Sequence, residues 1–192
     1  MSWDESLTRT INSFAGQSPP LDWLAETLSS PSTLWAPGIF LTGYWAWLSW
    51  REAMIAAPVL GGAIGLLDFI GAQLKHLVAR PRPCMVMPDL HQLQACGKVF
   101  SFPSNHAVNT ATAAAFLQVL YPRSGWISWP LVAAIGLTRV YIGAHYVTDV
   151  LGGWVLGGVC GAGVGWLLLQ WPRFRERACV DASKRKSADG PN

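Results

Sequence analysis

The sequence predicts an all-α fold, an integral-membrane helical bundle of about five transmembrane helices with short interfacial helices at its N-terminus. Three observations predict it. Of the 192 residues, 51% are hydrophobic and only 13% charged, whereas a soluble domain carries about 25% charged residues. Apolar runs long enough to cross a bilayer recur along the chain, which has a mean hydropathy of +0.28. The 11 tryptophans and other aromatics gather near the ends of those runs, where interface-seeking rings belong.

Residues 1–33 are expected to form an amphipathic, interfacial segment. Trp3, Leu7, Ile11 and Phe14 recur at helical spacing, and a second short run, Leu21–Leu28, follows Pro19-Pro20. Both runs are too short to span, so they are read as lying in the interface with Trp3 and Trp23 as anchors. Asp4, Glu5, Asp22 and Glu26, with no early cationic region, argue against a cleavable signal peptide. Residues 34–171 form the expected transmembrane domain. Its spans are read as 34–50, closed by Arg51-Glu52, then 53–73, 104–121, 126–142 and 146–171. Asp68 interrupts the second span, and a partner such as Asn109 or Thr110 is expected across the bundle. Residues 75–103 are a proline-rich polar connection. The last span repeats Gly153, Gly157, Gly161 and Gly165, a face that lets another helix approach closely, within the bundle or between subunits. Residues 172–192 read as a basic, disordered tail.

Five spans put the termini on opposite sides. Positive charge outside the polar clusters gathers in the tail and in the loops at Arg51 and Arg123, so the C-terminus is expected in the cytoplasm. Cys84 and Cys96 then fall in an outward loop, where an oxidising compartment allows a disulfide between them. Cys160 reads as packing and Cys179 as a free thiol. The four cysteines fit no zinc spacing, and the modest net charge of +3 gives no nucleic-acid surface.

Three polar clusters sit at the outward ends of spans: Lys75 to Pro83 with Arg80 and Arg82, Pro103-Ser104-Asn105-His106, and Thr138-Arg139 through His145 to Asp149. Ionisable groups at membrane depth are expensive and mark function. His145 and Asp149 are four apart and share a helix face, so the carboxylate can hold one imidazole nitrogen and leave the other free. Two histidines, a carboxylate, several permanent cations and a helix N-terminus suit a phosphoryl group.

Together these clusters resemble the signature of the type 2 phosphatidic acid phosphatase (PAP2) superfamily: K-x6-R-P, P-S-G-H and S-R-x5-H-x3-D. The order and internal spacings match over nearly half the chain, with Asn105 in place of the usual glycine and Thr138 in place of serine. The resemblance implies His145 as nucleophile, Asp149 orienting it, and His106 as the acid that protonates the leaving oxygen. It implies Lys75, Arg82 and Arg139 as a phosphate clamp completed by Ser104 and Asn105, with no metal and no cofactor. Spacing favours Arg82 as the motif arginine; Arg80 reads as a cation at the rim. His76 and His91 read as structural.

The function expected is a metal-independent lipid phosphatase of a bacterial inner membrane, its site facing outward and its partners the bilayer and a membrane lipid phosphate. Undecaprenyl diphosphate is the expected substrate; phosphatidate, phosphatidylglycerol phosphate and lipid A phosphates are alternatives. Two rival readings are a zinc hydrolase using His106, His145 and Asp149, and a lipid-phosphate carrier without turnover. The surrounding cations oppose the first, and the paired histidines oppose the second. The sequence leaves the oligomeric state open.

Overall fold

The computed structural model describes residues 2–97, 99–172 and 174. Lys98 and nearly all of the expected tail, with Cys179, fall outside them. Within the described residues every regular element is helical, apart from an isolated bridge between Pro81 and Phe100.

The two N-terminal helices form where sequence places them. Helix α1, Trp3–Asn12, starts in a capping box in which the Ser2 side chain accepts from the Glu5 amide and the Glu5 carboxylate accepts from the Ser2 amide. Its orientation is the informative part. Asp4, Thr8 and Asn12, spaced four apart, face the protein, while Trp3, Leu7 and Phe14 face outward. In water that arrangement would be inside out; beside lipid it places each face in its own solvent. Asn12 fixes the docking by donating to the carbonyls of His91 and Tyr141 and accepting from the His91 amide. Helix α2, Pro19–Ser29, opens on proline as a first helical turn allows, buries Ala25 and Ser29, and leaves Leu21, Trp23 and Leu24 exposed.

The first two expected spans are joined without a loop. Helix α3, Pro31–Val78, runs through Arg51-Glu52 and departs from helical geometry only at Ser49 (φ −153°, ψ 74°). The charges there are accommodated locally. Glu52 accepts from the Tyr121 hydroxyl at 2.5 Å, and the Arg51 guanidinium lies 5.4 Å from the centre of the Trp50 ring. The kink lets Trp45 on one arm and Ile55, Val59 and Leu60 on the other pack on one core of Ala56, Phe116, Leu120, Leu168 and Phe174. The helix also ends at Val78 rather than residue 73, so Lys75 stands on its last turn instead of in a connection. Ala79, in the left-handed region (φ 48°), caps it through its amide to the Lys75 carbonyl.

Beyond a short turn, α4 (Pro83–Val86), a disulfide joins Cys84 to Cys96 across a Cα separation of 5.9 Å. Cys160 is a free thiol. Helices α5 (Asn105–Leu120), α6 (Gly125–Tyr141) and α7 (Val147–Leu169) complete the bundle. At the centre, α5 packs along the glycine face of α7. A methyl group at Gly153 would stand 2.9 Å from the Ser104 carbonyl oxygen, and one at Gly157 or Gly161 would collide with the carbonyl of Val108 or Thr112. The glycine face is therefore an internal seam.

Among the described residues, Ser49–Val78 and Val147–Leu169 are long and apolar enough to cross a membrane, with mean hydropathies of 1.9 and 1.5. Most of each lies outside the protein core, with Leu66, Phe69, Val155, Val159 and Leu167 exposed, which a water-soluble bundle could not sustain. Helices α5 and α6, at 16 and 17 residues, fall just short of the length that usually crosses a bilayer.

Candidate active site

Three connections at one end of the bundle bring the polar clusters together. The extended residues after Ala79 carry Arg82, whose amide donates to the Val99 carbonyl and whose Nη1 donates to the Ala144 carbonyl at 2.9 Å. The same nitrogen lies 3.2 Å from His145 Nε2. A guanidinium can only donate, so Nε2 must be the acceptor, and the ring proton resides on Nδ1. Nδ1 in turn faces Asp149 Oδ2 at 3.6 Å. The pair sits as an imidazole aimed at a cation with a carboxylate behind it.

Burial is the main reason that the His145 pKa falls to about 3, with the cations of Arg82 and Arg139 pushing the same way and Asp149 opposing them. At neutral pH the ring is uncharged, with its Nε2 lone pair turned to Arg82. Asp149 is fully buried and fixed from two directions. Oδ2 accepts from the Tyr146 amide at 2.9 Å, closing the N-terminal turn of α7, and Oδ1 accepts from Arg80 Nη1 at 2.8 Å.

Helix α5 supplies the opposite wall. The Ser104 amide donates to the Asp149 carbonyl at 3.2 Å, tying the start of α5 to that of α7. Ser104 is fully buried, yet its hydroxyl has no partner among the described residues; the same holds for His106 Nε2 and Arg139 Nε. An unpaired buried polar atom is destabilising by about 1–3 kcal/mol. Such atoms in the second and third clusters suit a site built to be completed by an anion. The first amides of α5 have no acceptor within their own helix and add donors there. Lys75 donates to the Pro103 carbonyl beside Ser104, and Arg139 Nη1 donates to the Ser29 carbonyl at 3.0 Å. Lys75, Arg82 and Arg139 all act electrostatically on the His106 ring, so the cations and both histidines share one neighbourhood.

The model of the PAP2 superfamily matches residues 56–176, which include all three clusters. The chain belongs to the PAP2 superfamily. PAP2 relatives include an undecaprenyl-diphosphatase of Sulfolobus acidocaldarius, 33% identical over 89 residues covering 46% of this chain and 43% of that protein. Phosphatidylglycerophosphatase B of Bacillus subtilis is 38% identical over 95 residues, 44% of each chain. The lipid A 1-phosphatase of Rhizobium etli is 38% identical over 116 residues, covering 58% of this chain and 48% of that one. The chain thus spans about half the length of the curated relatives it matches. Solved PAP2 structures are similar over most of the chain. A transmembrane PAP2-type phosphatidylglycerolphosphate phosphatase from Bacillus subtilis has a TM-score of 0.68 at 25% identity, covering 89% of this chain and 87% of that one. Aquifex aeolicus LpxE has a TM-score of 0.69 at 25% identity, covering 85% and 95%. With that kinship and its outward-facing apolar helices, the protein is an integral membrane protein.

Two expectations about individual side chains change. Arg80 is not an idle cation at the rim. Its Nη1 donates to Thr148 Oγ1 (2.6 Å) and to Asp149, its Nη2 to Asp4 Oδ2 (2.7 Å), and its guanidinium lies 3.7 Å from the centre of the Tyr146 ring. Arg80 and Arg82 look alike in sequence, but one is committed to carboxylates and the other faces His145. Asn105, where the PAP2 motif has glycine, gives its side-chain amide to Asp68 at 2.9 Å, leaving only its backbone amide on the α5 terminus. Asn109 donates to the same Asp68 oxygen at 3.0 Å. The carboxylate that interrupts α3 is thereby held by two amides of α5.

Sequence reasoning passed over the N-terminal contributions, Asp4 and the Ser29 carbonyl. The available signal was the Asp4–Thr8–Asn12 stripe, which looks like a solvated face until lipid is the solvent.

Proposed function

We propose that the protein is a membrane lipid phosphatase that works through a phosphohistidine on His145, with an undecaprenyl diphosphate as its physiological substrate. The observation that carries the chemistry is the line from Asp149 through His145 to Arg82: carboxylate, Nδ1, Nε2 and a cation positioned for a phosphoryl oxygen. Arg82, Arg139 and Lys75 neutralise charge on the transferring group, with the Ser104 hydroxyl and the α5 amides completing the clamp. Arg82 passes from His145 Nε2 to a phosphoryl oxygen as substrate binds, and the freed Nε2 attacks phosphorus. His106 protonates the leaving oxygen and then deprotonates the water that hydrolyses the phosphoenzyme. Asp149 stabilises the Nδ1–H as the ring gains positive character. Each step uses groups of the protein chain and no metal, so activity is expected to persist in a strong chelator.

The substrate assignment is supported by relatives named undecaprenyl-diphosphatase. The Cys84–Cys96 disulfide beside Arg82 and the basic tail support an outward-facing site with the C-terminus in the cytoplasm. The test is a panel of undecaprenyl diphosphate, phosphatidate, phosphatidylglycerol phosphate and lipid A phosphates presented to purified protein in detergent with EDTA. The highest kcat/KM is expected for undecaprenyl diphosphate. A better monophosphate substrate reassigns the lipid, and loss of turnover in EDTA rejects the metal-free chemistry.

A further inference from the structure

We infer that Asp4 and Arg80 are positioning residues for Asp149, so that the N-terminal helix is part of the catalytic apparatus. The inference rests on the proposed role of His145 and Asp149, but the geometry behind it lies outside the three motifs. The Asp149 carboxylate has two oxygens, and the one not facing His145 and the Tyr146 amide is held by Arg80. Arg80 is itself locked. Tyr146 lies against its guanidinium, Thr148 accepts from Nη1 and Asp4 from Nη2, and its own carbonyl accepts from the Ser101 amide at 2.8 Å. Asp4 does more than pair with it. Asp4 Oδ1 accepts from the Thr148 amide at 3.1 Å, and Oδ2 accepts from the Thr148 hydroxyl at 2.5 Å. An acid on α1 therefore caps the N-terminus of α7, the helix that carries Asp149, from outside that helix.

The result is an alternating run of charges, Asp4, Arg80 and Asp149, of which both acids are buried. Removing the middle member leaves two buried anions without their cation and frees Asp149 to rotate away from His145. A guanidinium can bridge two carboxylates because its nitrogens diverge in a fixed plane; an ammonium cannot span them. Neither of two alternative roles for Arg80 fits this geometry as well. A phosphate ligand would keep its terminal nitrogens free for substrate, whereas both are spent on Asp4, Thr148 and Asp149. A purely structural tie between α1 and the bundle has no need to end on the one carboxylate that faces His145.

The test uses the full-length protein in detergent with R80Q, R80K and D4N, each also combined with D149N. Partners that orient a reacting group are worth about 10–100-fold in activity. R80Q and R80K are each expected to lower kcat by that factor with KM unchanged, and D4N to follow in the same direction. Within D149N, R80Q is expected to have no further effect, because Arg80 acts through the carboxylate already disabled. If R80Q does not fold, D4N carries the test, since an asparagine oxygen can still accept from Thr148.

A second readout needs no turnover: titration of His145 by NMR of its ring nitrogens. The charged and titratable groups around that ring are Arg82 from the linker, Arg139 from α6 and Asp149 from α7. Arg80, Asp4 and Tyr146 lie behind Asp149, and Lys75 of α3 and His106 of α5 face the same cations. Asp149 favours the imidazolium, so R80Q, which lets that carboxylate turn away, is expected to move the His145 titration downward. A raised KM with kcat retained, effects that multiply with D149N, or a His145 titration that is unmoved or shifted upward would overturn the inference. Absence of turnover by the wild type on every lipid phosphate would reject the phosphatase reading instead, and the His145 titration would still decide this one.

Discussion

Gly157→Ala tests how closely the site depends on the packing of its two central helices. One methyl group is added, with no change of charge or polarity. Its Cβ would collide with the Val108 carbonyl and stand 3.0 Å from Thr112 Oγ1, both on α5, and a backbone carbonyl cannot be turned aside as a side chain can. The helices must separate, and overpacking of this kind is destabilising by about 1–3 kcal/mol. The same displacement moves Ser104 and His106 on α5 away from His145 and Asp149 at the head of α7, across the 3.2 Å Ser104–Asp149 hydrogen bond. Misplacement by about 1 Å can lower a rate by about 100-fold. Thermal unfolding in detergent and phosphate release would be measured alongside Gly163→Ala. A Cβ at Gly163 meets nothing within 4 Å, so that variant is expected to match or exceed wild-type stability. A Gly157→Ala protein with wild-type melting and wild-type kcat would refute the close seam, and with it the claim that α5 and α7 set the distance between the two histidines.

Asn105→Gly, which restores the usual PAP2 residue, removes one of the two amide donors to Asp68; it is expected to lower stability by about 1–3 kcal/mol while leaving KM unchanged, as compared by unfolding and steady-state kinetics. Reduction of Cys84–Cys96, or the double serine variant, is expected to lower stability by about 3 kcal/mol from loop entropy. Because the bridge closes the loop that presents Arg82, reduction should also raise KM in the same preparation. His145 is buried as the neutral ring with its pKa lowered to about 3, against about 6.5 in an unfolded chain. Its contribution to stability is therefore complete above pH 6.5 and is lost as pH falls toward 3, which unfolding midpoints across that range would show.

Much of the site was legible because its chemistry is local in sequence. His145 and Asp149 are four positions apart; His145 precedes α7 instead of sharing its face, and the extended Tyr146 cap is what turns the Asp149 carboxylate toward the ring. The two histidine clusters converge because α5 and α7 begin at the same end of the bundle, which follows from counting apolar runs. What escaped was long-range. Nothing near Arg80 distinguishes it from Arg82, since its decisive partner, Asp4, is 76 positions away. Asp4 itself reads as a solvated acid at a helix start. Asn105 reads as a substitution in a phosphate loop until Asp68, 37 positions upstream, claims its side chain. The helix continues through Arg51-Glu52, a pair that reads as a loop, because Tyr121, 69 positions away, and the adjacent Trp50 ring take up its charges.

The central claim, that His145 carries the phosphoryl group, is tested most directly by trapping the covalent intermediate. Purified protein would be mixed with lipid phosphate labelled in the transferred group, quenched in alkali within one turnover, and the chain assayed for acid-labile, base-stable label. Label is expected on His145 in the wild type, at higher occupancy in His106→Ala where hydrolysis of the intermediate is slowed, and absent from His145→Ala. Stoichiometric label, or undiminished turnover, in His145→Ala would contradict the account.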